Sequence, residues 1–561
     1  MTEVKSDAVA APVPSQVGNV SEPELSGDSS ATEDSPKVRG KLQVCLILAA
    51  LYLGLFLSAL DTTIIAQSIP TICADLQSAE GYVWIGGAFL LANAATGPVW
   101  AKLSDIWGRK LIYLIGITLL AVSSIVAALS VNMAMLIAGR ALQGVASGCL
   151  IQLCMIIISD MFSVRERSLY MGYTGFVWAI AGSAGPLVGG AFTQAVTWRW
   201  CFWINLPICG LTFLLSIVYL DVNNPRTKLA DGLRAIDWLG SLSILAITTL
   251  ILLGLTLGGA VYPWGSATVI CLIVFGFLLI PFFLYNEQRL AKYPLMPLGV
   301  FKNLSNNAVF TVVFTHGMVL IGIEYYMPLY FQSVQQASPI RSGLLLLPLI
   351  VVQAIIEIIS GYAINHTGNY RAFIWSGCFL MVLGTGLYII FGADTTIGVI
   401  VGLQIIGAFG PALLFQAPVV AIQNTVSQAD TAAASGALFF LRSVAMSLSV
   451  VLGGVVFQNS MTSRHSALAA AGLSQPVLDA LSGSDAAANV GIPQTLDDPA
   501  QRHAVLEAFA FSMRNIFILY TALAAVGAVA SLFIKHKDLS TEHTETKTGI
   551  ENMTKSNRGA E

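Results

Sequence analysis

Charge is what this chain has least of. Of its 561 residues only 11% are Asp, Glu, Lys or Arg, while 55% are hydrophobic. A soluble domain carries about 25% charged residues, so a water-soluble globule is excluded, and a mean hydropathy of +0.74 assigns the chain to a bilayer. Period-two alternation is also missing, which argues against a β-barrel. There is no Gly-x-x-x-x-Gly-Lys-Ser/Thr loop and no soluble segment long enough for an ATPase domain, so any work is driven by an ion gradient or is passive. No nucleophile, base or metal constellation suggests an enzyme, and no cofactor is expected. No basic run suggests nucleic acid, and the net charge is only -3. The eight cysteines fall mostly in apolar runs without metal-ligand spacing, which reads as packing. Cys73 and Cys201 lie near one face and leave a disulfide open.

What is present is a series of apolar runs of about 20 residues, the length a helix needs to cross a bilayer while satisfying its own backbone. Spans are expected near 43–67, 82–100, 111–130, 133–159, 169–193, 201–220, 238–258, 266–286, 309–333, 342–365, 373–391, 398–422, 433–457 and 512–534. The fold class is therefore all-α. Residues 1–42 read as a disordered tail, rich in Ser, Ala, Pro, Glu and Asp and without the apolar core of a signal peptide. The chain then divides into a six-helix bundle at 43–220, two extra spans with linkers at 221–308, a second six-helix bundle at 309–534 and a tail at 535–561. A long outer loop at 458–511 is expected to pack loosely, with short helical patches such as Ala504 to Ala510.

Orientation follows from the basic residues of the short loops. With the amino terminus inside, Lys102, Arg109, Lys110, Arg165, Arg167, Arg226, Lys228, Arg234, Arg289, Lys292, Lys302 and Arg371 all face inward, whereas the short outer loops hold Arg199 and Arg341. Lys37, Arg39, Lys41, Lys535 and Lys537 agree that both termini are cytoplasmic. The sequons at Asn19, Asn303, Asn365 and Asn552 then all lie on the inner side, out of reach of glycosylation.

The loop Ala101-Lys-Leu-Ser-Asp105-Ile-Trp-Gly108-Arg109-Lys110 returns, weakened, as Gly361-Tyr-Ala-Ile-Asn365-His-Thr-Gly368-Asn369-Tyr-Arg371. A repeated charged loop after the second span of each six is what an internally duplicated transporter carries. Arg109 and Lys110 are expected to reach carboxylates such as Asp160, and Asp105 to face a helix end. Ordinary positive-inside charge would explain the basic residues but not Asp105, Gly108 or the repeat.

Within the spans, Asp61 shares a helical face with Gly54 and Ser58. A carboxylate inside lipid costs about 2.5 to 3.5 kcal/mol on insertion scales, so Asp61 should face a cavity or partner, as a proton acceptor or a structural ion pair. Arg140, on a face with Gln143, Gly144, Ser147 and Gly148, is the candidate partner, since both sit roughly 10 Å deep at 1.5 Å per residue. The fifth span carries Gly182-Ser-Ala-Gly185-Pro186-Leu-Val-Gly189-Gly190, which calls for close packing or a bend. Glu324 is a second candidate for a protonatable or substrate-facing group. Glu357 and Arg442 read as a cavity-lining or structural pair, and His316 as a packing histidine.

On these residues the chain resembles the major facilitator superfamily, and within it the fourteen-span drug:proton antiporters, most like the fungal toxin and multidrug efflux pumps. The family loop pattern Gly-x-Leu-x-Asp-Arg-x-Gly-Arg-Lys is similar to Leu103, Asp105, Gly108, Arg109 and Lys110, departing at Ala101 and Ile106. The first-span pattern resembles Leu60-Asp61-Thr62-Thr63-Ile64 and Pro70. The fourth-span pattern resembles Arg140, Gln143 and Gly144, and the antiporter pattern Gly185, Pro186, Gly189 and Gly190. The second-half loop has Asn365 for Asp and Asn369 for Arg, which puts an equivalent latch there in doubt.

The resemblance implies a plasma-membrane monomer that exchanges protons for small organic compounds, by rocking of two six-helix halves. Asp61, Arg140, Gln143 and Glu324 would couple protons; the 101–110 loop, Asp160 and the glycine-rich fifth span would govern opening and closing. Siderophore transport by a related carrier, or a non-transporting sensor that retains the fold, are the alternatives. Substrate identity is not encoded in any motif found.

Overall fold

The computed structural model describes residues 40–65, 68–77, 81–222, 225, 227–258, 262–296, 298–427, 430–487, 489–539 and 549. The two tails (apart from residues 40–42, 535–539 and 549), Asn19, Asn552, Lys37, Arg39, Arg226 and the side chains of Pro70 and Pro186 lie outside the described residues.

Fourteen long helices account for the apolar runs: α1 (Lys41–Thr63), α2 (Gly81–Trp107), α3 (Arg109–Ala128), α4 (Met133–Met161), α5 (Val164–Ala195), α6 (Asn205–Tyr219), α7 (Trp238–Leu257), α8 (Ala267–Tyr285), α9 (Leu304–Ser333), α10 (Pro339–Thr367), α11 (Tyr370–Leu387), α12 (Ile397–Thr425), α13 (Thr431–Ser463) and α14 (Pro499–Ser531). Among the described residues thirteen helices are long and apolar enough to cross a membrane. The remaining long helix is α2, of 27 residues, whose apolar run is diluted by Asn93, Thr96, Gly97 and Pro98. The chain is a multi-pass membrane protein.

Helix ends follow local chemistry. Ser163 begins α5 with a capping box: its hydroxyl accepts from the Glu166 amide, and the Glu166 carboxylate reaches back to the Ser163 amide, so two end donors are satisfied at once. Asn132, Asp237, Ser266, Asn303, Ser338 and Asn369 each accept an amide of the next helix's first turn. Gly368 ends α10 at φ 70°, the left-handed conformation that glycine adopts without strain.

Packing displays the duplication more clearly than the sequence does. In the first six helices α2 packs on α4, α3 on α4 and α6, and α1 on α4, α5 and α6; in the last six α10 packs on α12, α11 on α12 and α14, and α9 on α12, α13 and α14. Each pair in one set has its counterpart eight helices later. The result is two six-helix bundles plus two extra helices. Of these, α7 and α8 pack on each other and α7 also touches α2 and α13.

Two expectations change. The segment expected as a loose loop is largely helical: α13 continues to Ser463, short helices occupy 465–470, 475–480 and 492–495, and α14 begins at Pro499 rather than near 512. Ala504 to Ala510 is therefore the second turn and beyond of a long helix, not an isolated patch. Arg502, Glu507 and Arg514 lowered the apolar signal there, yet Asp498 caps the start by accepting the Ala500 amide. Leu468, Leu473, Leu478 and Leu481 are buried, so this segment is packed rather than loose. Cys73 and Cys201 are both free thiols, and no disulfide links them.

Asp75, between the first two spans, accepts hydrogen bonds from Trp198 Nε1 at 3.0 Å and Arg199 Nη1 at 3.2 Å, which lie just before the sixth, and these bonds hold its carboxyl below the ordinary value. A depressed carboxylate stabilises the fold above its unfolded value and loses that contribution as pH falls through the folded one. The tie is half exposed, so Asp75→Asn should leave neutral-pH thermal stability within about 1 kcal/mol and remove part of its acid sensitivity, read as Tm against pH.

Candidate functional site

Asp61 lies near the end of α1 and is fully buried. Its Oδ1 accepts from Asn205 Nδ2 at 2.9 Å and lies 3.8 Å from Arg140 Nη1; its Oδ2 has no hydrogen-bond partner among the described residues. Arg140 is held by fixed dipoles as well as by charge. Its Nε donates to the Ile85 carbonyl at 3.0 Å, Nη2 to the Asp61 carbonyl at 3.2 Å and Nη1 to Gln143 Oε1 at 3.1 Å, and the guanidinium stacks 4.3 Å from the Phe89 ring centre. Gln143 Nε2 and Asn205 Nδ2 both reach Ser124 Oγ, at 2.9 and 3.1 Å. The expected grouping of Asp61, Arg140 and Gln143 is thus one connected network.

Asn205 and Ser124 were missed by sequence reasoning. The available signal was a lone amide, Asn205, inside the apolar stretch Trp203-Ile-Asn205-Leu; a neutral residue does not draw the attention that an intramembrane charge does. Asn205 Oδ1 is also without a partner, so two acceptors sit in one buried network that lacks a donor. A proton on Asp61 would supply one, because a protonated carboxyl has an O–H to give.

The glycines of α5 divide by what they face. A Cβ on Gly189 would fall 2.0 Å from the Ile64 carbonyl oxygen, and one on Gly185 2.1 Å from Thr63 Oγ1 and 3.1 Å from the Ile64 amide; Gly182 and Gly190 have open space. Thr63 also donates across to the Ala181 carbonyl at 3.0 Å. Gly185 and Gly189 therefore seat the end of α1, three residues beyond Asp61, against α5. Gly189→Ala should cost about 1 to 3 kcal/mol by overpacking and depress transport, whereas Gly182→Ala and Gly190→Ala should be tolerated. Thermal stability and vesicle transport of the three variants check this.

Residues 101–110, expected as a loop, are helical except at Gly108, where α2 ends and α3 begins, and this turn closes on a buried ion cluster. Arg109 is 1% exposed; its Nε donates to Asp160 Oδ2 at 2.8 Å, Nη1 lies 2.5 Å from Asp105 Oδ1, and Nη1 donates to Ser104 Oγ at 2.6 Å. Gly108, at φ 91°, makes the turn that lets Arg109 begin α3 while pointing back at Asp105. Lys110, in contrast, donates to the exposed Ile217 carbonyl at 2.7 Å. The second copy of the loop works without carboxylates: Arg165 donates to the Asn365 and His366 carbonyls, and Asn365 Nδ2 returns a bond to the Arg165 carbonyl at 3.1 Å.

That exchange is part of a seam between the bundles, where α5 meets α10 and α13 meets α2. Ser168 Oγ donates to the Gly361 carbonyl at 3.0 Å, Gln416 Nε2 to the Met171 carbonyl at 2.6 Å, and Gln423 Nε2 to Ser159 Oγ at 2.9 Å. Gln416 and Gln423, again neutral amides in apolar runs, were not singled out in the sequence. All these contacts lie at the end of the molecule that carries the 101–110 loop, and there the seam is closed.

In the second bundle, the Gln353 amide lies near both Glu324 and Glu357. Glu357 and Arg442 face one another electrostatically, but no ion pair within 4 Å joins them among the described residues. Arg442 instead donates to the Phe415 carbonyl at 3.1 Å and lies 4.8 Å from that ring. His316 Nε2 is 3.0 Å from the Pro411 carbonyl, while its buried Nδ1 has no hydrogen-bond partner among the described residues.

Residues 51–450 match the model of the Major Facilitator Superfamily. The chain is 42% identical over 508 residues to the efflux pump dotC of Dothistroma septosporum, covering 91% of this chain and 87% of that one. It is 43% identical over 523 residues to the MFS-type transporter ppz2 of Metarhizium majus, covering 93% and 90%. Among solved structures it resembles the proton:xylose symporter XylE, with TM-score 0.56 at 13% identity over 92% of this chain and all of that one, a likeness of fold alone. Duplicated bundles, a buried ion cluster on the inter-helix loop and close relatives of nearly full length together show that this chain belongs to the Major Facilitator Superfamily of membrane transporters.

Proposed function

We propose that the chain exports small, amphipathic organic compounds in exchange for protons by alternating access. Asp61 is the proton-binding group, Arg140 and Gln143 set its affinity, and Asn205 and Ser124 hold its carboxyl in place. One observation carries the assignment: a fully buried carboxylate with one oxygen unpartnered, beside a guanidinium and an amide that also lacks a donor. An ionised carboxylate in that position lacks a full set of hydrogen bonds, and a proton provides the missing one. Relatives named efflux pumps support the direction. The basic residues of the short loops favour both termini inside, and the closed seam then lies on the cytoplasmic side. The plasma membrane is the membrane where export of this kind clears the cell.

Purified protein in vesicles tests this. An imposed pH gradient should accumulate an amphipathic fluorescent probe on the acidic side, and reversing the gradient should reverse the movement. Accumulation that ignores the sign of the gradient would overturn the reading. Asn205→Leu should shift the pH at which transport is half-maximal without abolishing it; an unchanged profile would remove Asn205 from the site.

A further inference from the structure

Glu357 stands on the face of α10 that meets the other bundle. It is 3% exposed, its Oε2 has no hydrogen-bond partner among the described residues, and that oxygen presses on α5 at Gly175, where an added Cβ would fall 1.5 Å from it. The neighbouring contacts are equally close. A Cβ on Gly172 would come 3.1 Å from the Glu357 carbonyl oxygen, and one on Gly361 2.3 Å from the Ser168 carbonyl oxygen. Small residues thus let α5 and α10 touch along the seam, and deeper in it than Arg165 sits a carboxyl with one oxygen unpartnered among the described residues.

Its surroundings offer an alternative seat. The charged groups that reach Glu357 are Glu324 from α9 and Arg442 from α13, and the Gln353 amide lies near it on its own helix; α5 and α12 bring no charged group to it among the described residues. Beside Arg442 stands His316 of α9. Arg442 Nε is itself buried without a hydrogen-bond partner. One carboxyl oxygen and one guanidinium nitrogen in the same bundle are therefore left without partners among the described residues while the carboxyl lies against Gly175.

We propose that Glu357 is a second coupling residue and the latch of the α5–α10 seam: neutral, it packs on Gly175 and the seam closes; ionised, it turns to Arg442 and the seam opens. The proton it gives up passes to the water that the opening seam admits on the inner side, and the carboxylate's negative charge is balanced by the guanidinium. Burying an unpaired carboxylate is costly, whereas a charge-assisted bond to Arg is among the strong ones, so protonation decides which seat is occupied. The inference rests on the proton-coupled reading above but concerns a different carboxyl. Asp61 is coupled to the interior of the first bundle and Glu357 to the contact between bundles.

Spin labels at Leu111→Cys and Thr367→Cys, in the full chain lacking the exposed Cys45 and Cys271 and held in lipid nanodiscs, measure the seam by pulsed electron resonance. Raising the pH should move the distance population from short to long. Glu357→Gln should stay short throughout, a loss of the pH response, and Gly175→Ala, which displaces the carboxyl, should be long at every pH. Asp61→Asn should keep the wild-type response. A Glu357→Gln protein that follows the wild-type shift, or a Gly175→Ala protein that stays closed, overturns the latch. If Asp61→Asn transports normally while the Glu357 response holds, the assignment of Asp61 fails and the latch stands.

Discussion

Asp61→Asn is expected to reduce proton-driven efflux to the level of empty vesicles while the protein remains folded in the membrane. The substitution is nearly isosteric and keeps an oxygen that Asn205 can donate to. Removing one member of a buried ion pair ordinarily costs about 3 to 5 kcal/mol. Here the cost should be smaller, because Arg140 keeps its bonds to the Ile85 and Asp61 carbonyls, to Gln143 and to the Phe89 ring. If Asp61 titrates during transport, the bundle must in any case tolerate a neutral group there, and Asn imitates that state permanently. Downhill exchange of substrate should therefore persist while concentration against a pH gradient is lost. Undiminished proton-driven efflux would remove Asp61 from the mechanism.

Arg109→Ala should have the largest effect on stability. It would leave Asp105 and Asp160 facing each other without the cation between them, and breaking such a buried pair costs about 3 to 5 kcal/mol. Lower abundance and an earlier thermal transition in detergent are expected, together with loss of the rigid turn at Gly108. Lys110→Ala is the internal contrast: its single bond is exposed, and the change should stay within about 0.5 kcal/mol. Equal losses in the two variants would mean that the loop acts by net positive charge rather than through the Arg109 cluster.

Ion pairs within the membrane were legible because charge there is rare enough to stand out. Asp61 could be matched with Arg140 from depth, and Arg109 with Asp160 from its place in the motif; Asp105, expected at a helix end, pairs with Arg109 instead, and Lys110 reaches a carbonyl rather than a carboxylate. The neutral amides were not. Asn205, Gln416 and Gln423 occupy apolar runs where one polar residue has many bland explanations, and their partners lie from 12 to more than 240 residues away. The glycine motif of α5 was visible as a motif, yet only packing separates Gly185 and Gly189, which hold α1, from Gly182 and Gly190, which face open space. The pairing of Glu357 with Arg442 was also a matter of distance along no sequence coordinate, and the two groups prove to be neighbours without being bonded.

The sequence by itself determined that the chain is helical and membrane-embedded, where nearly every span lies, and that its halves are related. Those properties follow from local physics: backbone groups in lipid must be satisfied within the helix, and a span's length and polarity are written in consecutive residues. The tertiary structure decided which polar groups meet, which glycines carry a helix contact, and that the two bundles are closed at the end bearing the 101–110 loop. Such facts depend on how helices far apart in the chain approach, and close packing makes that approach a property of both surfaces together. The loop repeat announced two related halves; the seam between them, with Glu357 against Gly175, exists only once they are packed.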